Sequence, residues 1–171
     1  MVAPSAKGLS SMSTSQESIV DSSEIVRGYL NDVKEGDPGA VDRYFAEDVT
    51  YITITSHPDE LKPIMPWFGV HQGRDGVKEL NALLLANLEM MEFELTLAFG
   101  FHEHAAAFGR WRYRSKTTSK EVASDWAVRA TVCDGLITYY HFFESDYTLA
   151  TAFRRSGSWQ IENHLGSRQV P

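Results

Sequence analysis

Asp125 and Arg129 are charges on an otherwise shielded strand pattern, in the run SDWAVRATVC. Alternation along a strand puts both on one face with small residues between them. The other stripe, Trp126, Val128, Ala130 and Val132, is wholly apolar. Burial pushes a carboxyl pKa up and a neighbouring guanidinium pulls it down, so such a group can exchange a proton near neutral pH or orient a water. Four residues of strand hold the two backbones roughly 13 Å apart, which leaves room for a ligand or water between them. A structural ion pair is the other reading of the same spacing. Tyr29, on the inward stripe of an expected helix, joins them as a third catalytic candidate, because a buried phenol needs a hydrogen-bond partner. Glu144 shares its parity with Tyr140 and Phe142 on the next strand. Together with Tyr51, Thr53, Trp67, Trp111 and Tyr113 these residues suggest an aromatic pocket with few polar groups, suited to a small, mostly apolar or aromatic molecule.

Other candidates are weaker. His102 and His104 are two apart, but the pattern supplies no third ligand and points to a solvated strand face rather than a metal site. His141 reads as a surface or interface histidine. Arg110, Arg112 and Arg114 alternate with Gly109, Trp111 and Tyr113, an arrangement that fits either a phosphate grip or pairing with nearby carboxylates. There is no glycine-rich phosphate loop, nucleophile elbow or HExxH motif. No cofactor and no metal are expected.

The elements that must position these residues follow from periodicity. A helix is expected from Ser18 or Ser22 to Glu35, ended by Gly36, and Asp37-Pro38 opens a short second helix carrying Ala40, Val41, Tyr44 and Phe45. VTYITIT, at 49–55, reads as a strand. Residues 56–73 form an irregular loop with Ile64, Met65, Trp67 and Phe68, either a lid over a cavity or a loop packed onto the domain. A third helix is expected from Arg74 to Asn87. Strands follow at 93–101, 104–116, 121–133, 136–145 and 158–164. Asp134-Gly135 makes a hairpin turn, and DYTLATAF is readable as helix or strand. Residues 1–17 read as a disordered tail, and 18–171 as one α+β domain.

Composition bounds the function. The 171 residues carry a formal charge of −7, which disfavours nucleic acid as a partner, and no apolar run is long enough for a membrane helix. The single Cys133 cannot form an internal disulfide and reads as a small buried residue. With no apolar core of the secretory kind near the N-terminus, the chain reads as cytoplasmic. The stripe from Trp126 to Val132, with Tyr139 and His141, is expected to lie on an outer sheet face and to make a homodimer.

YLNDVKEGDPGAVDRYFAEDVTY, GVHQGRDGVKEL and DGLITYYHFFESDYTLATAF resemble the opening, the turn into the third helix and the penultimate strand of the nuclear transport factor 2-like superfamily. Its members include SnoaL-like polyketide cyclases, ketosteroid isomerase and limonene-1,2-epoxide hydrolase. The resemblance spans about residues 19 to 165. It implies a cone of curved antiparallel sheet wrapped around three N-terminal helices, a cystatin-like α+β barrel, and a homodimer. Carried over by position, Tyr29 matches the isomerase's oxyanion-stabilising tyrosine, while its general base falls on Thr53 and its protonated aspartate near Arg129. Against the epoxide hydrolase, Tyr51 and Thr53 fall on water-holding positions, and its charge relay falls near Gly109, Trp111 and Phe142. Asp125 matches the cyclases' acid-base aspartate, but their histidine falls near Trp111. None of these mechanisms carries over whole. What remains is acid-base chemistry of cyclase, isomerase, hydratase or hydrolase type, or a non-catalytic binding or partner-dependent module of the same fold.

Overall fold

The computed structural model describes residues 21–53, 62–163 and 166–170. The expected tail at 1–17, the end of VTYITIT, the first part of the loop and His164 lie outside the described residues.

Helix α1 spans Ser22–Glu35. It begins where the Asp21 side chain accepts a hydrogen bond from the Ser23 amide, and ends at Gly36, whose φ of 75° is left-handed. Its inward residues Val26, Tyr29 and Leu30 are buried. Two polar bonds fix it to the sheet: Ser22 Oγ donates to the His104 carbonyl at 2.8 Å, and Arg27 Nη2 donates to the Ala98 carbonyl at 2.7 Å. Helix α2 is short, Ala40–Tyr44, and runs directly into strand β1, Phe45–Ile52. Phe45 therefore opens a strand and does not end the helix, as the sequence pattern suggested. Strand β2, Val70–Gln72, leads into helix α3, Gly73–Asn87.

Four strands then meander: β3 Leu88–Phe101, β4 His104–Ser115, β5 Glu121–Cys133 and β6 Leu136–Phe143. At the β5–β6 turn, Asp134 and Gly135 both have positive φ, 51° and 77°, as a two-residue hairpin requires. The open segment after β6 folds as helix α4, Asp146–Thr151, with Ser145 capping its N-terminus. Strands β7, Trp159–Asn163, and β8, Gly166–Val170, form a separate hairpin.

The main sheet corrects the expected cone. Its order is β2-β1-β6-β5-β4-β3, an open array with β2 and β3 at its two edges, neither closed nor strongly curled. It is also mixed: β1 lies parallel to β6, while every other pairing is antiparallel. The four-strand meander reverses direction at each turn, and β6 ends up running the same way as β1. Edge strand β2 has only three residues and cannot bridge round to β3.

Helices cover one face of this sheet, with α1 packed across β3, β4 and β5 and α4 against β5. Beneath them Trp126, Val128, Ala130 and Val132 are buried. The stripe from Trp126 to Val132, expected on an outer, dimerising face, is therefore core, while Tyr139 and His141, expected beside it, register with Thr131 and Arg129 on the opposite face. Trp126 is sandwiched between Phe93 and Phe142, with ring centroids 5.1 and 5.6 Å away. It sits over Gly109, where a Cβ would lie 2.2 Å from the indole.

Candidate functional site

On β6 the alternation that buries Tyr140 carries Phe142 to the same side, and two residues further on Glu144 extends the line just past the strand's end. Tyr51 and Thr53 come from β1 and its end, Tyr113 from β4, Tyr29 from α1, and Leu80 and Asn81 from α3. With Trp67 these side chains line one inner cavity of about 60 Å³. The rings lock together: Tyr140 lies 4.8 Å from Tyr51 and 5.5 Å from Tyr29, and Tyr29 lies 4.6 Å from Phe45, centroid to centroid. Each well-oriented pair adds about 0.5–1.5 kcal/mol beyond area burial.

The electrostatics are those of a dry site. Burial pushes the Tyr29 phenol well above its ordinary range, against the pull of hydrogen bonding to Asn81 and Tyr51. Burial likewise raises Tyr51, Tyr113 and Tyr140, so all four phenols keep their protons. Among the described residues Glu144 is the one carboxyl that lines the cavity. Burial, reinforced by the charge of Asp146, pushes it up to about 8, while the nearby Trp111 indole N–H pulls the other way. At neutral pH Glu144 is thus mostly a neutral acid, able to donate a proton.

Glu144 also borders a second, wider cavity of about 890 Å³, walled by Pro63, Ile64, Ala150 and Phe153 with Asp146 and Arg154. It stands at the junction of a small polar-lined recess and a roomy apolar one. On the recess's other side, Asn81, Leu84 and Tyr113 also line a third cavity of about 370 Å³ beneath the helices.

Of the expected site residues, Tyr29, Tyr51, Thr53, Trp67, Tyr113, Tyr140, Phe142 and Glu144 share the inner cavity. Trp111 is fully buried beside Glu144. Asp125 and Arg129 do not join them: both are exposed on the opposite face of β5. The physical reason is parity. Burying Trp126, Val128 and Ala130 gains far more than burying two charges, so the charges turn to solvent. There Asp125 lies across from Arg110 in the β4–β5 register, and the Arg129 guanidinium rests 5.2 Å from the Tyr139 ring centre.

The Thr53 hydroxyl is already engaged. It donates toward the Trp67 carbonyl at 3.2 Å and accepts from the Gly69 amide at 3.0 Å, tying the described part of the loop down. Met65, Trp67 and Phe68 are buried there, so this part of the loop packs as core and does not hang as a lid. The arginine run is a ladder of ion pairs: Arg112 meets Glu92 and Glu121, and Arg114 meets Glu89 and Glu121. His104 faces Glu103 on the surface, Cys133 is exposed, and among the described residues no three potential ligands gather around a metal-sized space. No helix is long and apolar enough to cross a membrane among the described residues.

Asn81 was not anticipated. Its signal was present: four residues after Val77 and three before Leu84, it interrupts the inward stripe of α3 with an amide.

The fold and part of the sequence have known counterparts. The patulin synthesis protein F of Aspergillus clavatus is 31% identical over 114 residues, 65% of this chain and 58% of its own. The patulin biosynthesis cluster protein F of Penicillium expansum is 27% identical over 135 residues, 77% of this chain and 68% of its own. The chain thus spans less than two thirds of the first relative's length. Among solved structures, a nuclear transport factor 2-like protein from Burkholderia thailandensis superposes with a TM-score of 0.70 at 17% identity, covering 80% of this chain and 99% of that one. The SnoaL-like domain family matches residues 26–140, from within α1 to Tyr140, which include most of the inner cavity's lining. The chain belongs to the SnoaL-like domain family.

Proposed function

We propose that this protein performs acid-base chemistry on a small, mostly apolar molecule, with Glu144 as the group that transfers the proton. The observation that carries the reading is the position of Glu144, the one carboxyl of the inner recess among the described residues, at its junction with the wide cavity. A ligand body lodged in the wide cavity brings its reacting end against this carboxyl, and the phenols of Tyr29 and Tyr51 steady developing charge on an oxygen. The names of the two fungal relatives, both tied to patulin production, support a place in small-molecule biosynthesis. Asp125 and Arg129 have no part in this proposal.

The test needs no natural substrate. Solvent deuterium exchange into 2-cyclohexen-1-one and hydrolysis of styrene oxide are followed for wild type and Glu144→Gln. Loss of about 10²–10⁴-fold of whichever rate the wild type shows, with the circular dichroism unchanged, is the expected result. Equal rates in the two proteins overturn the assignment. Binding of both compounds without turnover favours a second reading, a binding module, for which the narrowness of the inner cavity, about 60 Å³, is the specific support.

We propose further that the exposed face of the sheet pairs with a second copy of the chain. Leu97, Phe99, Phe101, Phe108 and Phe143 are all more than 40% exposed, more contiguous apolar surface than an isolated soluble chain usually shows. The face also carries both Asp125 and Arg129, opposite charges that a two-fold axis perpendicular to β5 near Ala127 would bring together.

A further inference from the structure

Among the described residues, the inner cavity contains two buried donors with no partner. The Tyr140 hydroxyl and the Trp67 indole N–H make no hydrogen bond, although both residues are 0% exposed and both line this space. Buried polar groups are nearly always satisfied, and one left open carries a desolvation cost. Two in one small cavity mark a place where something else supplies the acceptor.

We infer that Tyr140 and Trp67 form an oxygen-reading subsite that selects ligands carrying an uncharged carbonyl-type acceptor. An indole N–H can only donate, and a phenol can donate as well as accept, so the group that satisfies both at once is an acceptor oxygen. Among the described residues no Lys or Arg lines the inner cavity, and an anionic carboxylate placed there would be left without a counter-charge. An ammonium could donate to the phenol oxygen but would leave the indole N–H, which only donates, unpaired. A ketone, lactone or quinone oxygen meets both donors without either penalty.

The sizes of the cavities fit the same division. About 60 Å³ accommodates a carbonyl end and not a ring, while about 890 Å³ beyond Glu144 accommodates the ring. The subsite rests on the reading of this cavity as the ligand site. It does not depend on Glu144 transferring a proton. Tyr140 and Trp67 are specificity-determining residues in this scheme, acting on which molecule binds and how it is oriented.

Acetophenone and ethylbenzene differ in the carbonyl oxygen and little else, and their affinities can be measured by ligand-observed NMR titration. Tyr140→Phe removes one oxygen from the protein and keeps the ring that packs on Tyr51, so the fold is retained. The expected result is a loss of about 2- to 13-fold in acetophenone affinity, the range of one neutral hydrogen bond, with ethylbenzene unchanged or bound more tightly. Trp67→Phe gives the same pattern if it folds, and Tyr140→Phe alone suffices if it does not. A variant that weakens both ligands equally, or neither, overturns the subsite. So does a wild-type protein that fails to bind acetophenone at millimolar concentration. The two proposals fail separately. Loss of carbonyl discrimination in Tyr140→Phe with undiminished turnover in Glu144→Gln keeps the subsite and removes the catalytic acid, and the reverse pattern does the opposite.

Discussion

Glu144 is half-buried beside indole and phenol rings, where burial raises its carboxyl pKa, and its titration should be visible in the stability of the whole chain. Its folded-state pKa, about 8, lies above the value of 4.5 that the unfolded chain would show. Between those two values the folded state holds a proton that the unfolded state has released. Folding stability therefore falls as pH rises from about 4.5 and levels off above about 8. Glu144→Gln removes this dependence: in urea melts the variant and wild type should lie close at pH 5, with the variant clearly the more stable at pH 9. A parallel pair of curves across that range would mean that the carboxyl is solvated after all. Tyr140→Phe makes a second prediction at this scale. Deleting an unsatisfied buried hydroxyl should raise the melting temperature of the ligand-free protein by roughly 2–8 °C, a gain of about 1–2 kcal/mol. A lower melting temperature would show that the hydroxyl has a partner in solution. Both changes improve the fold at the expense of the site, as expected where polar groups are kept for a ligand.

At the scale of elements, much of the arrangement was legible in the sequence and the reason is local. Gly36, the Asp134-Gly135 turn and the alternation through β5 are decided within a few residues, and β5 runs from Glu121 to Cys133 as its pattern indicates. The inward set Tyr29, Tyr51, Tyr113, Tyr140 and Phe142 was legible for the same reason, since each is the aromatic member of an apolar stripe. Which face of β5 looks inward is not local. It depends on where α1 and α4 pack, and what they cover is the bulk of Trp126 and its neighbours, not the isolated charges. The open, mixed sheet is likewise set by where β1 returns, which no single stretch of chain encodes. Gly109 tests the packing that decided the matter. A Cβ there would lie 2.0 Å from the Glu94 carbonyl and 2.2 Å from the Trp126 ring. Gly109→Ala should thus push β4 off its neighbour or the indole out of its stack, at a cost of about 2–4 kcal/mol in urea denaturation. A change below about 0.5 kcal/mol would mean that Trp126 does not rest over this position.

For the molecule as a whole, the apolar stripe that suggested a dimer turned out to be core, and the face that remains open is the other one. Register makes it continuous: Leu97 lies across from Phe108, Phe108 from Ala127 and Ala127 from Phe143, while Phe99, Ala106, Arg129 and His141 form the adjoining row. Phe99 stacks on Phe108 at 6.0 Å and His141 on Phe143 at 3.7 Å, so the patch is a laid surface of rings and not a scatter of side chains. Burial of the histidine, with the nearby Arg129 charge, holds its pKa below the ordinary value, which keeps the ring neutral and easier to cover. The glutamate-arginine ladder at the 110–114 end of β4 borders this patch with paired charges, the kind of polar rim that surrounds an apolar interface. At micromolar concentration the protein should sediment with twice its chain mass of 19.2 kDa. Phe99→Glu places a charge within the patch, where a partner would have to bury it. It should return the chain to the monomer mass while leaving the inner cavity, on the far side of the sheet, able to bind acetophenone. If wild type already sediments near 19.2 kDa the second copy is ruled out, and if Phe99→Glu remains dimeric the association uses another face.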